Sequence, residues 1–182
     1  MASNEPKYTV AYRDVKHPRL EFKTGTLLVV LPRGKETPQQ TIAKYRSWIK
    51  RKQQIIDAAL KEAHSKSLDT KRSEDQLRML ARRLAQTAQV SLHVTVKKIY
   101  FRKMRTKWAS HSKNNNLTVN TLLKFLPTGL IEYVIFHEVA HGIERKHNSH
   151  FWSVIDKQFP DHENKEGDLL TYWFLVQKQI GQ

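Results

Sequence analysis

Apolar and polar residues change rhythm several times along the chain, and each rhythm predicts an element. Tyr8-Thr9-Val10-Ala11-Tyr12 is rich in strand formers, and Leu20-Glu21-Phe22-Lys23 alternates apolar with polar. Gly25 punctuates the run before Thr26-Leu27-Leu28-Val29-Val30-Leu31. Such runs predict two or three antiparallel strands ending at Pro32. At Thr37-Pro38-Gln39-Gln40 the signal becomes that of a helix start, with a Thr cap, Pro in the first turn and Gln three residues on. Ile42, Tyr45, Trp48/Ile49, Ile56 and Leu60 then recur at helical spacing. A polar break from His64 to Thr70 separates this helix from the next. That one opens on a second capping box, Ser73 with Gln76, and Leu77, Leu80, Leu84 and Ala88 carry it to about residue 89.

Residues 91–102 alternate as a strand through Leu92, Val94, Val96, Ile99 and Phe101. A basic stretch from Arg102 to Lys113 leads to a turn at Asn114-Asn115-Asn116, and Leu117 to Asn120 returns as a strand. Thr121 to Phe125 is a short helical segment closed by Pro127. Three further helices are predicted, at about Thr128 to Gly142, Ser149 to Phe159 (stopped by Pro160) and residues 165–179. Strands, helices, strands and helices in that order predict an α+β fold rather than a doubly wound sheet. At 182 residues, 39% of them apolar, the chain is long enough to bury a core.

Composition narrows the chemistry. There is no cysteine, so disulfides, thiolate metal sites and thiol nucleophiles are excluded, and a metal site must use His, Asp and Glu. The first seven residues lack the apolar core of a secretory signal. The longest apolar stretches, Leu27 to Leu31 and Tyr133 to Phe136, are too short to span a bilayer. A cytoplasmic protein with no membrane contact is the expectation. Lys and Arg outnumber acids 32 to 17, for a net charge of +15, which suits a polyanionic partner or a solvated basic surface.

The decisive run is Tyr133-Val134-Ile135-Phe136-His137-Glu138-Val139-Ala140-His141-Gly142. Histidines four apart on a helix lie about 40° apart around its axis, so both imidazoles can reach one ion. Glu138 then projects beside the metal, where a carboxylate can act as general base. Two structural histidines on a core helix are the bland alternative, but that reading must also place a glutamate within an apolar run. Zinc needs a third protein ligand. His147 lies six residues beyond His141, a spacing shared with metzincins, although Glu144 stands where their pattern has glycine. His150 competes for the role, and Glu163 or Glu166 would supply a carboxylate instead. Gly142 allows the helix to end and the chain to turn back.

Several segments resemble, in order, those of the YgjP-like metal-dependent hydrolases, relatives of the SprT-like zincins. Trp48-Ile49 closes the first helix similarly. Arg105-Thr106-Lys107-Trp108-Ala109-Ser110-His111 corresponds to that family's Lys-Thr-Arg-Trp-Gly-Ser-Cys, and Leu117 to Asn120 to its strand with a terminal Asn. Glu132-Tyr133-Val134 leads into the two histidines, Lys146-His147-Asn148-Ser149 and Phe151-Trp152 match its Asn-His-Ser and Phe-Trp elements, and Phe159-Pro160-Asp161 its last Pro-Asp. Ala109 and His111 depart from the family's Gly and Cys. The resemblance implies His147 as third ligand and a zincin-like metallopeptidase domain at residues 71–182, behind an N-terminal β-rich lobe with its helix at 1–70.

The expected activity is hydrolysis of peptide or other amide bonds with one Zn²⁺, a set of three histidines accepting other divalent ions as well. Arg105, Trp108, Asn120 and His150 are candidate substrate contacts. Trp108 also reads as core filler, and Leu117 to Asn120 as an edge for an extended peptide. A different class of function comes from Lys97 to Lys113, which holds seven Lys/Arg, no acid, and Tyr100, Phe101 and Trp108. Basic residues interleaved with aromatics grip phosphates and stack bases, which would make the protein nucleic-acid-associated; SprT-like relatives include proteases acting on DNA-bound proteins. A third reading is a zinc-stabilised module without catalysis.

Overall fold

A computed structural model describes residues 7–23, 26–34 and 36–180. The first six residues and Gly25 lie outside them. The chain divides into two compact units, one through Ser65 and one from Lys66.

In the first unit β1 (Tyr8–Arg13), β2 (Arg19–Lys23) and β3 (Thr26–Pro32) form a sheet of order β1-β3-β2. β2 pairs antiparallel with β3, as expected, but β1 pairs parallel with it. The reason lies in β3, which is apolar at nearly every position and buries Leu27, Val29, Val30 and Leu31 completely. A strand of that kind belongs in the middle, so the half-polar β1 and β2 flank it instead of pairing as a hairpin. The Thr37/Gln40 capping box forms as predicted and starts α1 (Pro38–Lys44). The single helix expected beyond it breaks at Tyr45, and α2 (Arg46–Glu62) continues. Ile49 of α2 joins Leu27, Val29 and Leu31 in the core, with Trp48 against Phe22 at 6.1 Å between ring centroids.

The second unit begins with α3 (Glu74–Leu92), opened by the predicted Ser73/Gln76 box. Leu77, Ala81, Ala85 and Ala88 form its buried stripe, and the three small alanines let α4 (Thr128–Ala140) pack closely. Helix α3 runs through Leu92 and ends at His93, whose φ of 53° lies in the left-handed region. The strand expected from residue 91 therefore starts only at Lys98. β4 (Lys98–Arg102), β5 (Ala109–His111) and β6 (Asn116–Asn120) make the second sheet, order β4-β6-β5. β5 emerges from the basic stretch, where no strand was expected, and returns to β6 through a turn with Asn115 at φ 57°. β6 is thus central; the free edge expected at Leu117 to Asn120 belongs to β5 and β4.

A 3₁₀ turn, Thr121–Phe125, leads to α4. The Arg72 guanidinium ties this connection down by donating to the carbonyls of Lys124 and Leu126 and to the Thr128 hydroxyl. α4 buries Leu130, Ile131, Tyr133, Val134, Ile135, Phe136, Val139 and Ala140, so it is apolar nearly all round, as befits a helix enclosed by protein. α5 (Ser149–Gln158), capped by the Asn148 side chain on the Phe151 N–H, and α6 (His162–Ile180) complete a mixed α+β fold.

Candidate metal centre

α4 presents His137 and His141 one turn apart. The chain leaves the helix at Gly142, where an added Cβ would stand 3.1 Å from the Val139 carbonyl and from the Val94 side chain. Its φ is not positive, so space rather than backbone freedom calls for glycine there. Glu144, at the position where metzincins carry glycine, makes its turn by other means: its side chain accepts the Lys146 N–H at 2.9 Å. Its own carbonyl accepts from His141 Nδ1 at 3.0 Å, which leaves His141 Nε2 free as a donor to an ion.

That turn brings His147 back over the helix. Its Nε2 lies 3.0 Å from Nε2 of His137, and one donor atom from each of His137, His141 and His147 falls within 4.8 Å of the others. Two aromatic side chains of α5 hold the rings: His141 stacks on Phe151 at 4.6 Å and His147 on Trp152 at 5.5 Å. His162 stacks on Trp152 as well, at 4.9 Å. Burial, followed by the nearby charges of His141, His147 and His162, pushes His137 down to about 3. Burial also lowers His141. Both rings are therefore neutral at ordinary pH, the form in which imidazole binds metals.

Glu138 points into the same cleft. Burial raises its carboxyl to about 7, against the pull of the His111 backbone N–H and the Lys107 charge, while Glu166 adds to the rise. The cleft, about 390 Å³, is walled by Lys107 to His111, by α4, by Arg145 and His147, and by Glu166 and Leu169 of α6. Lys107 and Ser110 belong to the Arg105 to His111 segment that resembles the family's, whereas Arg145 and Leu169 had no motif to mark them. The signal for His111 was only its departure from the family pattern.

Of the expected substrate contacts, Trp108 lines the cleft and is also packed, its indole donating to the Leu169 carbonyl at 3.2 Å and meeting Trp173 edge-on at 4.9 Å. Arg105 and His150 are exposed and are not among the residues lining it. Asn120 is fully buried, and its amide is engaged with Met104, Lys107 and Leu122 backbone groups. It shapes the loop before β5 rather than meeting substrate, because a buried amide must satisfy its own donors and acceptors first. Glu163 is exposed, whereas Glu166 reaches the cleft beside His137.

The model of the YgjP-like family, described as YgjP-like, metallopeptidase domain, matches residues 60–171. The chain belongs to this family. The resemblance read from the sequence is thereby confirmed, and the YgjP-like protein is a metal-dependent peptidase. Solved structures similar to it include two metallopeptidase zymogens. The metallopeptidase zymogen jannalysin of Methanocaldococcus jannaschii is 24% identical over 54% of this chain and 88% of that one, with a TM-score of 0.45. The zymogen abylysin of Pyrococcus abyssi is 22% identical over 56% and 96%, also at 0.45. No curated protein matches the YgjP-like chain in sequence. No helix among its described residues is long and apolar enough to cross a membrane.

Proposed function

We propose that this peptidase is a zinc hydrolase whose catalytic domain is residues 71–182, with His137, His141 and His147 as ligands and Glu138 as general base. The observation that carries the reading is three imidazole nitrogens within 4.8 Å of one another beside a carboxyl raised to about 7. The donor set suits the ion. Neutral imidazole is a common zinc donor, and His137 and His141, already neutral, need lose no proton to bind. A divalent ion held there supplies Lewis acidity to the scissile carbonyl and makes the attacking water more acidic.

The chain's own residues do the rest. Glu138, buried in the cleft beside the three imidazoles, takes a proton from the attacking water and returns it to the leaving nitrogen. β5, an edge strand along the cleft, is where an extended peptide would add as a further strand, and Trp108 forms part of the wall. Glu138→Gln should lower turnover by about 10²–10⁴-fold while the zinc content of the purified protein stays at the parental level. Parental turnover in that variant would remove Glu138 from the mechanism.

A second reading is favoured by a separate groove. Arg82, Lys97, Lys98 and Tyr100 line a shallow depression of about 520 Å³ at the β4 edge, with no acid among its lining residues. Tyr100 is 48% exposed. Cations flanking an exposed aromatic ring suit single-stranded nucleic acid. Affinity for an oligonucleotide that falls steeply with salt supports this reading; no binding at low salt removes it.

A further inference from the structure

His137 is partnered unevenly. One ring nitrogen, Nε2, faces His147, whereas Nδ1 is buried without a hydrogen-bond partner. An unpaired N–H in such a place is costly and calls for an acceptor. A carboxylate oxygen of Glu166 stands 3.6 Å from that Nδ1, just beyond hydrogen-bond reach. The same oxygen accepts the Tyr133 hydroxyl at 2.6 Å. Tyr133 precedes His137 by one turn of α4 and meets its ring edge-on at 5.8 Å. Burial first, then Glu166 itself, holds the phenol protonated, so it remains a donor.

We propose that Glu166 is a positioning residue of the metal centre, its carboxylate accepting the Nδ1–H of His137 and fixing the tautomer whose Nε2 is the metal donor, with Tyr133 steadying that carboxylate. This rests on the reading of His137 as a ligand. Glu166 was also open as a third ligand. The geometry points elsewhere, because it approaches the nitrogen remote from His147. The proton's position follows from the same fact: a ring that gives its Nε2 lone pair to a cation carries its hydrogen on Nδ1. A carboxylate at that hydrogen both orients the ring and makes its other nitrogen more basic, and loss of such partners weakens metal binding about 10–100-fold.

The test uses the full chain. Zinc affinity is measured by competition with a chromophoric chelator for the parent, Glu166→Ala, Glu166→Gln and Tyr133→Phe, and the His137 Nδ1–H is followed by NMR in the zinc-loaded protein. Glu166→Ala should bind one zinc about 10–100-fold more weakly and lose the Nδ1–H resonance. Glu166→Gln keeps an acceptor and should lose less; Tyr133→Phe should shift the resonance with a smaller loss. The Glu166 side chain is 45% exposed, so the metal-free variants should melt like the metal-free parent, a result that separates positioning from a structural role. Parental zinc affinity and an unchanged resonance in Glu166→Ala overturn the proposal. So does a loss as complete as that of His147→Ala, which would make Glu166 a ligand. Zinc affinity indifferent to His137→Ala would instead overturn the metal-centre reading, and this proposal with it.

Discussion

Glu138 and His137 adjoin in sequence, and the same burial acts on them with opposite sign, moving the carboxyl from 4.5 to about 7 and the imidazole from 6.5 to about 3. Each shift favours the uncharged form. Between pH 4.5 and 7 the folded, metal-free chain binds a proton at Glu138 that the unfolded chain has released. The stability linked to that proton is present below 4.5 and is lost as pH rises through about 7. His137 works the other way: its contribution is present above 6.5 and is lost as pH falls towards 3. In urea unfolding of metal-free protein, Glu138→Gln should therefore match the parent near pH 4.5 and gain on it up to pH 7, by roughly 3 kcal/mol. A difference that stays flat with pH would show that the carboxyl is not held neutral. At this scale the His137-Glu138-x-x-His141 set was legible because its spacing is helix geometry. Asn120 was not, since its partners are backbone atoms of a loop 13 to 16 residues away.

Helices were the more legible elements. Both capping boxes form where the sequence places them, because a cap is a local bargain between a side chain and a backbone N–H three residues on. Strands were harder, for pairing is decided by partners distant in sequence. Nothing within Tyr8 to Arg13 says that it runs parallel to β3, and three-residue β5 is too short for an alternation to show among so many cations. β4 carries a measurable consequence of its own. If a single strand of nucleic acid engages Arg82, Lys97 and Lys98, log affinity against log salt should have a slope near −2, from about 0.7 per phosphate neutralised. That is roughly a 20-fold loss between 50 and 200 mM salt. Replacing Lys97 and Lys98 together should flatten the slope, whereas an unchanged slope would place the binding elsewhere on the basic surface.

For the molecule as a whole, the α+β class and the family were readable because the order of elements and the spacing of the motif segments survive without knowledge of contacts. Of the cleft's walls, the segment around Trp108 and the loop residue His147 were readable, whereas Arg145 after α4 and Leu169 on the distant α6 were not. The same assembly leaves the three proposed ligands unequally anchored. His137 and His141 ride on a helix whose neighbouring positions are buried, while His147 is exposed, on a loop, and rests against Trp152. Holding an ion, the proposed centre would be a clasp with one hinged arm. Ion exchange needs only that arm to lift, a local opening far smaller than unfolding the domain. Release of zinc to excess chelator should accordingly keep one rate across urea concentrations that leave the fold intact, and quicken when Trp152→Ala takes away the surface on which His147 rests. A release rate that climbs with urea in step with falling global stability would mean that the whole domain must open before the ion can leave.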